Sequence, residues 1–201
     1  MVRGYQFVTL KQNHMKKIAA IIFLTVFLLP SLKAQESTFN LGDQVVNIGI
    51  GLGSLYAIGT YYKTTVPPIS ISYEKAIVDE IIDKGVIGVG GYLGYTSYKY
   101  HYVYSTYDYG WKYTNIVLGA RGNFHYPLVD NLDTYLGVLL GYNIRISREF
   151  GTFADDISPD HGSLAFAGYV GARYYFSEKF AAFTELGYGI SYLTLGISLK
   201  L

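Results

Sequence analysis

Val46-Asn47-Ile48-Gly49-Ile50-Gly51-Leu52-Gly53 alternates an apolar side chain with Gly or Asn at every step. A period of two marks a β-strand with two unlike faces. Ile69-Ser70-Ile71-Ser72-Tyr73-Glu74 does the same with Ser and Glu, and Leu193-Thr194-Leu195-Gly196-Ile197-Ser198-Leu199-Lys200-Leu201 repeats the pattern unbroken. Which face is inside decides the fold. A soluble sandwich or small barrel fills its interior with the large apolar side chains. Here the other face is mostly Gly, Ser, Thr and Asn, which build no hydrophobic core. Both faces are explained at once if the apolar one meets lipid. Lipid in turn demands a closed sheet, because an open edge leaves backbone groups unpaired in hydrocarbon.

An internal repeat sets the strand count. Residues 69–95 align without gaps to residues 116–142, an offset of 47 that matches Ile69 with Ile116, Asp83 with Asp130 and Gly90 with Gly137. Gly119-Ala120-Arg121 recurs as Gly171-Ala172-Arg173, and Leu93-Gly94-Tyr95, Leu140-Gly141-Tyr142 and Leu186-Gly187-Tyr188 end the three copies alike. Each copy reads as a hairpin. The hairpins predict strands near 69–77, 86–96, 113–126, 133–145, 164–176 and 181–189, and segments near 45–54 and 192–201 bring the total to eight. Short turns near 78–85, 127–132 and 177–180 alternate with long loops near 55–68, 97–112 and 146–163. The connection near Gly189–Ser191 is the exception, being very short. Outer-membrane barrels keep short turns in the periplasm and long loops outside, so both termini are expected to be periplasmic.

The expected fold class is therefore all-β: an eight-stranded antiparallel up-and-down transmembrane β-barrel over residues 45–201. Residues 35–44 form a short periplasmic N-terminal segment ahead of it. A cleavable signal peptide is expected over residues 1–34. Lys16-Lys17 precedes the apolar run Ile18–Leu29, whose 12 residues fall short of the about 20 a spanning helix needs. Cleavage is expected after Ala34, and Met15, directly before the two lysines, leaves an upstream mis-start as one reading of residues 1–14.

Composition narrows function by exclusion. The 201 residues hold 22 Tyr, 23 Gly and no Cys, so disulfides, thiolate metal sites and Cys nucleophiles are excluded. Without residues 1–34 the chain carries 11 basic and 15 acidic side chains. That balance offers no basic field for nucleic acid. No His pair has metal-ligand spacing, and neither G-x-G-x-x-G nor a P-loop occurs, so no cofactor and no metal is expected.

Outward parity collects aromatics. Tyr95, Tyr142 and Tyr188 end the three ascending strands, and Tyr73, Phe124, Tyr174 and Phe176 lie near the short turns. Two such sets suit the two interfacial girdles, where an amphipathic ring sits between lipid and water. With these features the chain resembles the small OmpA/OmpX-type eight-stranded outer-membrane β-barrels of Gram-negative bacteria. The resemblance covers residues 44–201 and rests on the alternating strands, the Gly-Ala-Arg strands and the segment Leu193–Leu201. It implies residence in the outer-membrane bilayer and handling by the barrel-assembly machinery through the C-terminal strand, though Leu201 stands where the family usually ends in Phe.

Three functional readings follow. Glu74, Arg121, Arg173 and Glu185 share the inward parity near the short turns and are expected at one height in the lumen. There they form either a satisfied polar core or, as the resemblance implies, an ionic gate across a narrow solute channel. Nine Tyr lie between Tyr92 and Tyr113. Of these Tyr98, Tyr100, Tyr102, Tyr104, Tyr107 and Tyr109 are candidates for binding an extracellular ligand, since Tyr gives rigid contact area with a polar tip. The third reading is a lipid esterase built on His161 and Ser163, expected on the outward face. No acid has clear spacing to complete its triad, so a non-enzymatic protein serving envelope integrity or surface interaction is the expected function.

Overall fold

The structure, a computed structural model, describes residues 38–54, 56, 61–101, 110–150, 158–159 and 162–201. The expected signal peptide lies outside them, as do Tyr102, Tyr104, Tyr107, Tyr109 and His161. The described residues contain no helix and nine strands: β1 Gln44–Leu52, β2 Tyr62–Ile81, β3 Gly85–His101, β4 Gly110–Val129, β5 Leu132–Phe150, β6 Ser158–Pro159, β7 Ser163–Tyr175, β8 Phe180–Tyr188 and β9 Leu193–Lys200. All but the two-residue β6 pair antiparallel with a neighbour on each side, in the ring β4-β3-β2-β1-β9-β8-β7-β5 with β5 returning to β4. These eight are the strands expected from the alternation and the repeat. β6, which pairs with Ile146 and Ser147, was not foreseen.

The register pins the two faces. Ile48 stands opposite Ile71 on one side and Ile197 on the other, and all three are exposed. One residue earlier, Asn47 stands opposite Ser72 and Ser198, and all three are buried. Asn47 donates to the Ser72 hydroxyl at 3.1 Å and accepts from that of Ser198 at 2.6 Å. The apolar face is outside and the polar face is the core, as the alternation requires.

Four strands run much longer than the sequence suggests. β2, β3, β4 and β5 span 20, 17, 20 and 19 residues, against 9, 13, 9 and 8 for β1, β7, β8 and β9. Pro67-Pro68 would ordinarily end a strand. Here the β1 pairing stops at Ile69, so among the described residues nothing pairs with 62–68 on that side, and a register shift between Val66 and Ile69 takes up the prolines. As a result the four strands continue as a sheet past the rest of the ring at the long-loop end. Tyr95 and Tyr142 accordingly lie within β3 and β5 rather than at the ends of their strands.

At the short-turn end the N-terminal segment is part of the packing rather than a lead-in. Phe39 is buried against Val45, Ala76 and Val86. Residues 40–43 are strapped there by hydrogen bonds from Gly42 N–H to the Ala76 carbonyl (3.1 Å) and from Ala76 N–H to the Asp43 carbonyl (2.9 Å). Lys200 Nζ closes the strap, 2.6 Å from Asp43 Oδ2 and donating to the Thr38 carbonyl at 3.2 Å.

Candidate functional site

All four predicted lumenal charges face inward, in two linked groups rather than at one height. Arg121 Nη2 lies 2.5 Å from Glu185 Oε1. Arg173, fully buried, lies 2.9 Å from Asp133 Oδ2 and 3.0 Å from Glu74 Oε2. Glu74 and Arg121 belong to one register row, through Gly90. Barrel strands are staggered, so a row climbs as it passes around the ring, and residues level in register are not level in height.

Residues that sequence reasoning missed bridge the two groups. Arg121 Nε donates to the Tyr169 hydroxyl (2.6 Å) and Nη1 to Ser72 (3.0 Å). Tyr169 in turn donates to Asn123 Oδ1 at 2.7 Å, and Asn123 Nδ2 donates to Glu74 Oε1 at 2.6 Å. Tyr135 donates to Glu185 at 2.9 Å. His125 sits between two carboxylates, Nδ1 at 2.8 Å from Asp133 and Nε2 at 2.7 Å from Glu74. Both ring nitrogens are thus engaged, and His125 links the two carboxylates through one side chain. Three carboxylates thus meet two guanidiniums, with the His125 ring between two of the carboxylates. Such a group is tolerable in a low-dielectric interior because each charge has an opposite partner within hydrogen-bond reach.

Glycines make room for this network. A Cβ on Gly137 would collide with the Tyr169 ring and Asn123, and one on Gly171 with the Tyr135 ring. The Arg173 guanidinium lies 5.2 Å from the Tyr135 ring centre and 5.7 Å from that of Phe39, while the Phe39 ring also lies 4.3 Å from that of His125, tilted by 36°. Beyond Arg121, toward the long loops, an apolar cluster of Val117, Leu139, Ala165, Ala167 and Ile190 packs together with Tyr56 and Tyr92 against it, beside buried Asn143, which donates to Asn115 at 3.1 Å. Beside the Arg121–Glu185 pair about 30 Å³ remains open, room for one or two waters. At this level the interior is packed with side chains from the described residues.

On the outside, Tyr73, Tyr142, Tyr174, Phe176 and Tyr188 are exposed, and Tyr95 and Phe124 are half-buried at the same outward parity. On the projecting sheet one recognition candidate is corrected. Tyr98 is only 4% exposed, packed 5.6 Å from Tyr62 and 5.3 Å from Tyr113, so it builds an aromatic layer instead of offering free contact area. Tyr100 continues that layer, 5.1 Å from Tyr62. The esterase geometry is corrected too. Ser163 pairs with Asn143 and shares the inward parity of Ala165, not the outward face.

A closed antiparallel ring with an apolar outside and a hydrogen-bonded polar inside defines a transmembrane β-barrel. No protein-family model and no curated protein sequence matches the chain. Among solved structures it is similar to Ail, the attachment invasion locus protein of Yersinia pestis, at 11% identity and a TM-score of 0.44, over 80% of this chain and 96% of that one. It is likewise similar to the outer membrane protein OprG of Pseudomonas aeruginosa, at 12% identity and a TM-score of 0.45, over 81% and 97%.

Proposed function

We propose that the protein is a non-enzymatic, non-conducting outer-membrane barrel that displays the ends of β2–β5 at the cell exterior as an interaction surface. The single observation that carries this reading is the unequal strand length. A barrel that only spans lipid needs about 9–11 residues per strand, and four contiguous strands run to 17 residues or more. Surplus ordered sheet on one side of one end has no use inside the bilayer. The short turns, the start of β1 and the end of β9 then face the periplasm, with β9 as the segment the assembly machinery would read. The filled lumen favours this over a gated solute channel.

The absence of cysteine makes the orientation testable by single-cysteine labelling. Lys63→Cys should react with a membrane-impermeant maleimide on intact cells, and Ser177→Cys only after permeabilisation. The opposite pattern would reverse the orientation. For the lumen, wild type should carry no single-channel current in a planar bilayer, and a steady conductance would favour the channel. For the surface role, replacing residues 98–113 by Asn-Gly should abolish adherence of cells to immobilised matrix proteins and glycans. Unchanged adherence would remove the role from the sheet.

A further inference from the structure

The outward face of the projecting sheet carries a row of four cations. Lys63 stands opposite Lys99, Lys99 opposite Lys112, and Lys112 opposite Arg148, one on each of β2, β3, β4 and β5. Like charges directly opposite one another destabilise a sheet, and here three such pairs stand side by side. None forms an ion pair with a carboxylate among the described residues. The nearest strand acid, Glu149, is opposite Trp111 on the other face. Lys63 and Arg148 are exposed, Lys99 and Lys112 half-buried, and Lys99 Nζ rests 4.8 Å from the centre of the Phe150 ring. Three strand spacings make the row about 14 Å wide.

The rows beneath it say what faces it. Ile69, Tyr95, Ile116 and Ile144 form one outward row across the same four strands. Two positions further along β3, β4 and β5, and three along the bulged β2, come Val66, Ser97, Thr114 and Ile146, and the same step again reaches the four cations. Apolar, mixed and cationic rows thus follow one another along one continuous face. Four residues of strand cover about 13 Å, or roughly 10 Å along the membrane normal at a barrel tilt near 40°. That sequence of surfaces matches a lipid leaflet from acyl chain through linkage region to head group. The other end lacks it: the short-turn rim mixes Lys75, Lys84 and Lys179 with Asp79, Asp83, Asp130 and Glu178.

We propose that Lys63, Lys99, Lys112 and Arg148 form a binding site for the phosphate groups of lipid head groups in the leaflet at the long-loop end. This rests on the outer-membrane reading above and adds a ligand to it. A lipid is the fitting source, rather than a soluble phosphorylated or sulfated glycan, because the row lies on the lipid-facing parity directly above the acyl-contacting residues. Its width suits a head group with two separated phosphates better than a single phosphodiester.

The test uses the full barrel, residues 35–201, refolded into phosphatidylcholine nanodiscs containing graded amounts of bisphosphorylated lipid A. Bound lipid is counted by native mass spectrometry. Wild type should reach half occupancy at a lipid A fraction at least tenfold lower than K99Q/K112Q, and K99R/K112R should stay near wild type. Lipid A stripped of both phosphates should lose the same tenfold on wild type. Equal occupancy of wild type and K99Q/K112Q would overturn the site. So would a wild type that prefers a soluble sulfated oligosaccharide and takes up lipid A no better than its dephosphorylated form. A heat-dependent gel shift, run on every sample, separates the two levels. If wild type lacks the shift, the membrane reading fails and takes the site with it; a normal shift with unchanged binding sinks the site alone.

Discussion

Arg173 shows how much of the lumen hangs on single side chains. It is fully buried and holds Glu74 and Asp133 through two separate nitrogens. Arg173→Leu would leave those carboxylates with the His125 ring as their one shared partner. Removing one partner of a buried ion pair costs about 3–5 kcal/mol. The expected readout is a lower urea midpoint for loss of the compact gel band, and an unchanged midpoint would mean that water replaces the guanidinium freely. Arg121 and Glu185 test the converse. Arg121→Met and Glu185→Met should each destabilise, whereas the double variant should cost less than their sum, because no charge is left unpaired. Additive costs would contradict a direct pairing. Arg121 and Arg173 were legible because Gly-Ala-Arg recurs at one parity. Asp133 and His125 were not, since polar residues beside a turn read as solvated rim. Their parity with Tyr135 and Asn123 was the available signal, and it points inward. The lumenal Tyr135 and Tyr169 were hidden for another reason: their space comes from Gly171 and Gly137 on neighbouring strands, a relation visible only once the register is known.

Among the elements, β3 and β4 divide into a membrane part and a projecting part, and the register gives the place to cut. Ser97 pairs with Thr114, so Asn-Gly in place of residues 98–113 joins them with a two-residue hairpin turn. The ring pairings below that point are untouched. The shortened barrel should keep its heat-dependent gel shift, and loss of the shift would mean that the projection helps to hold the ring together. The sequence located the strands because one face is lipid and the other is packed polar core, a contrast renewed at every second residue. It did not mark where β2 to β5 end. Above the belt both faces carry Tyr, Thr, Lys and Ser, and the two-residue contrast that defines a strand fades while the pairing continues. Pro67-Pro68 deepened the effect by looking like a terminator in what is an unpaired edge.

For the molecule as a whole, closure joins the two most distant parts of the sequence. β1 and β9 pair over Val45–Leu52 and Leu193–Lys200, and the bond from Ser198 to Asn47 spans 151 positions. No other neighbour can take up the free edge of β1. Removing residues 193–201 should therefore abolish the compact band entirely; a residual band of lower stability would mean that seven strands can close. The same seam fixes a timetable. Local hairpins cost little chain entropy and form early, but ends this far apart meet slowly. Until the final strand has emerged, the first must wait with its ladder open, and every apolar face made so far waits with it. The molecule's most vulnerable interval is the pause before the eight residues of β9 arrive, so the final strand must be delivered before the first one is safe.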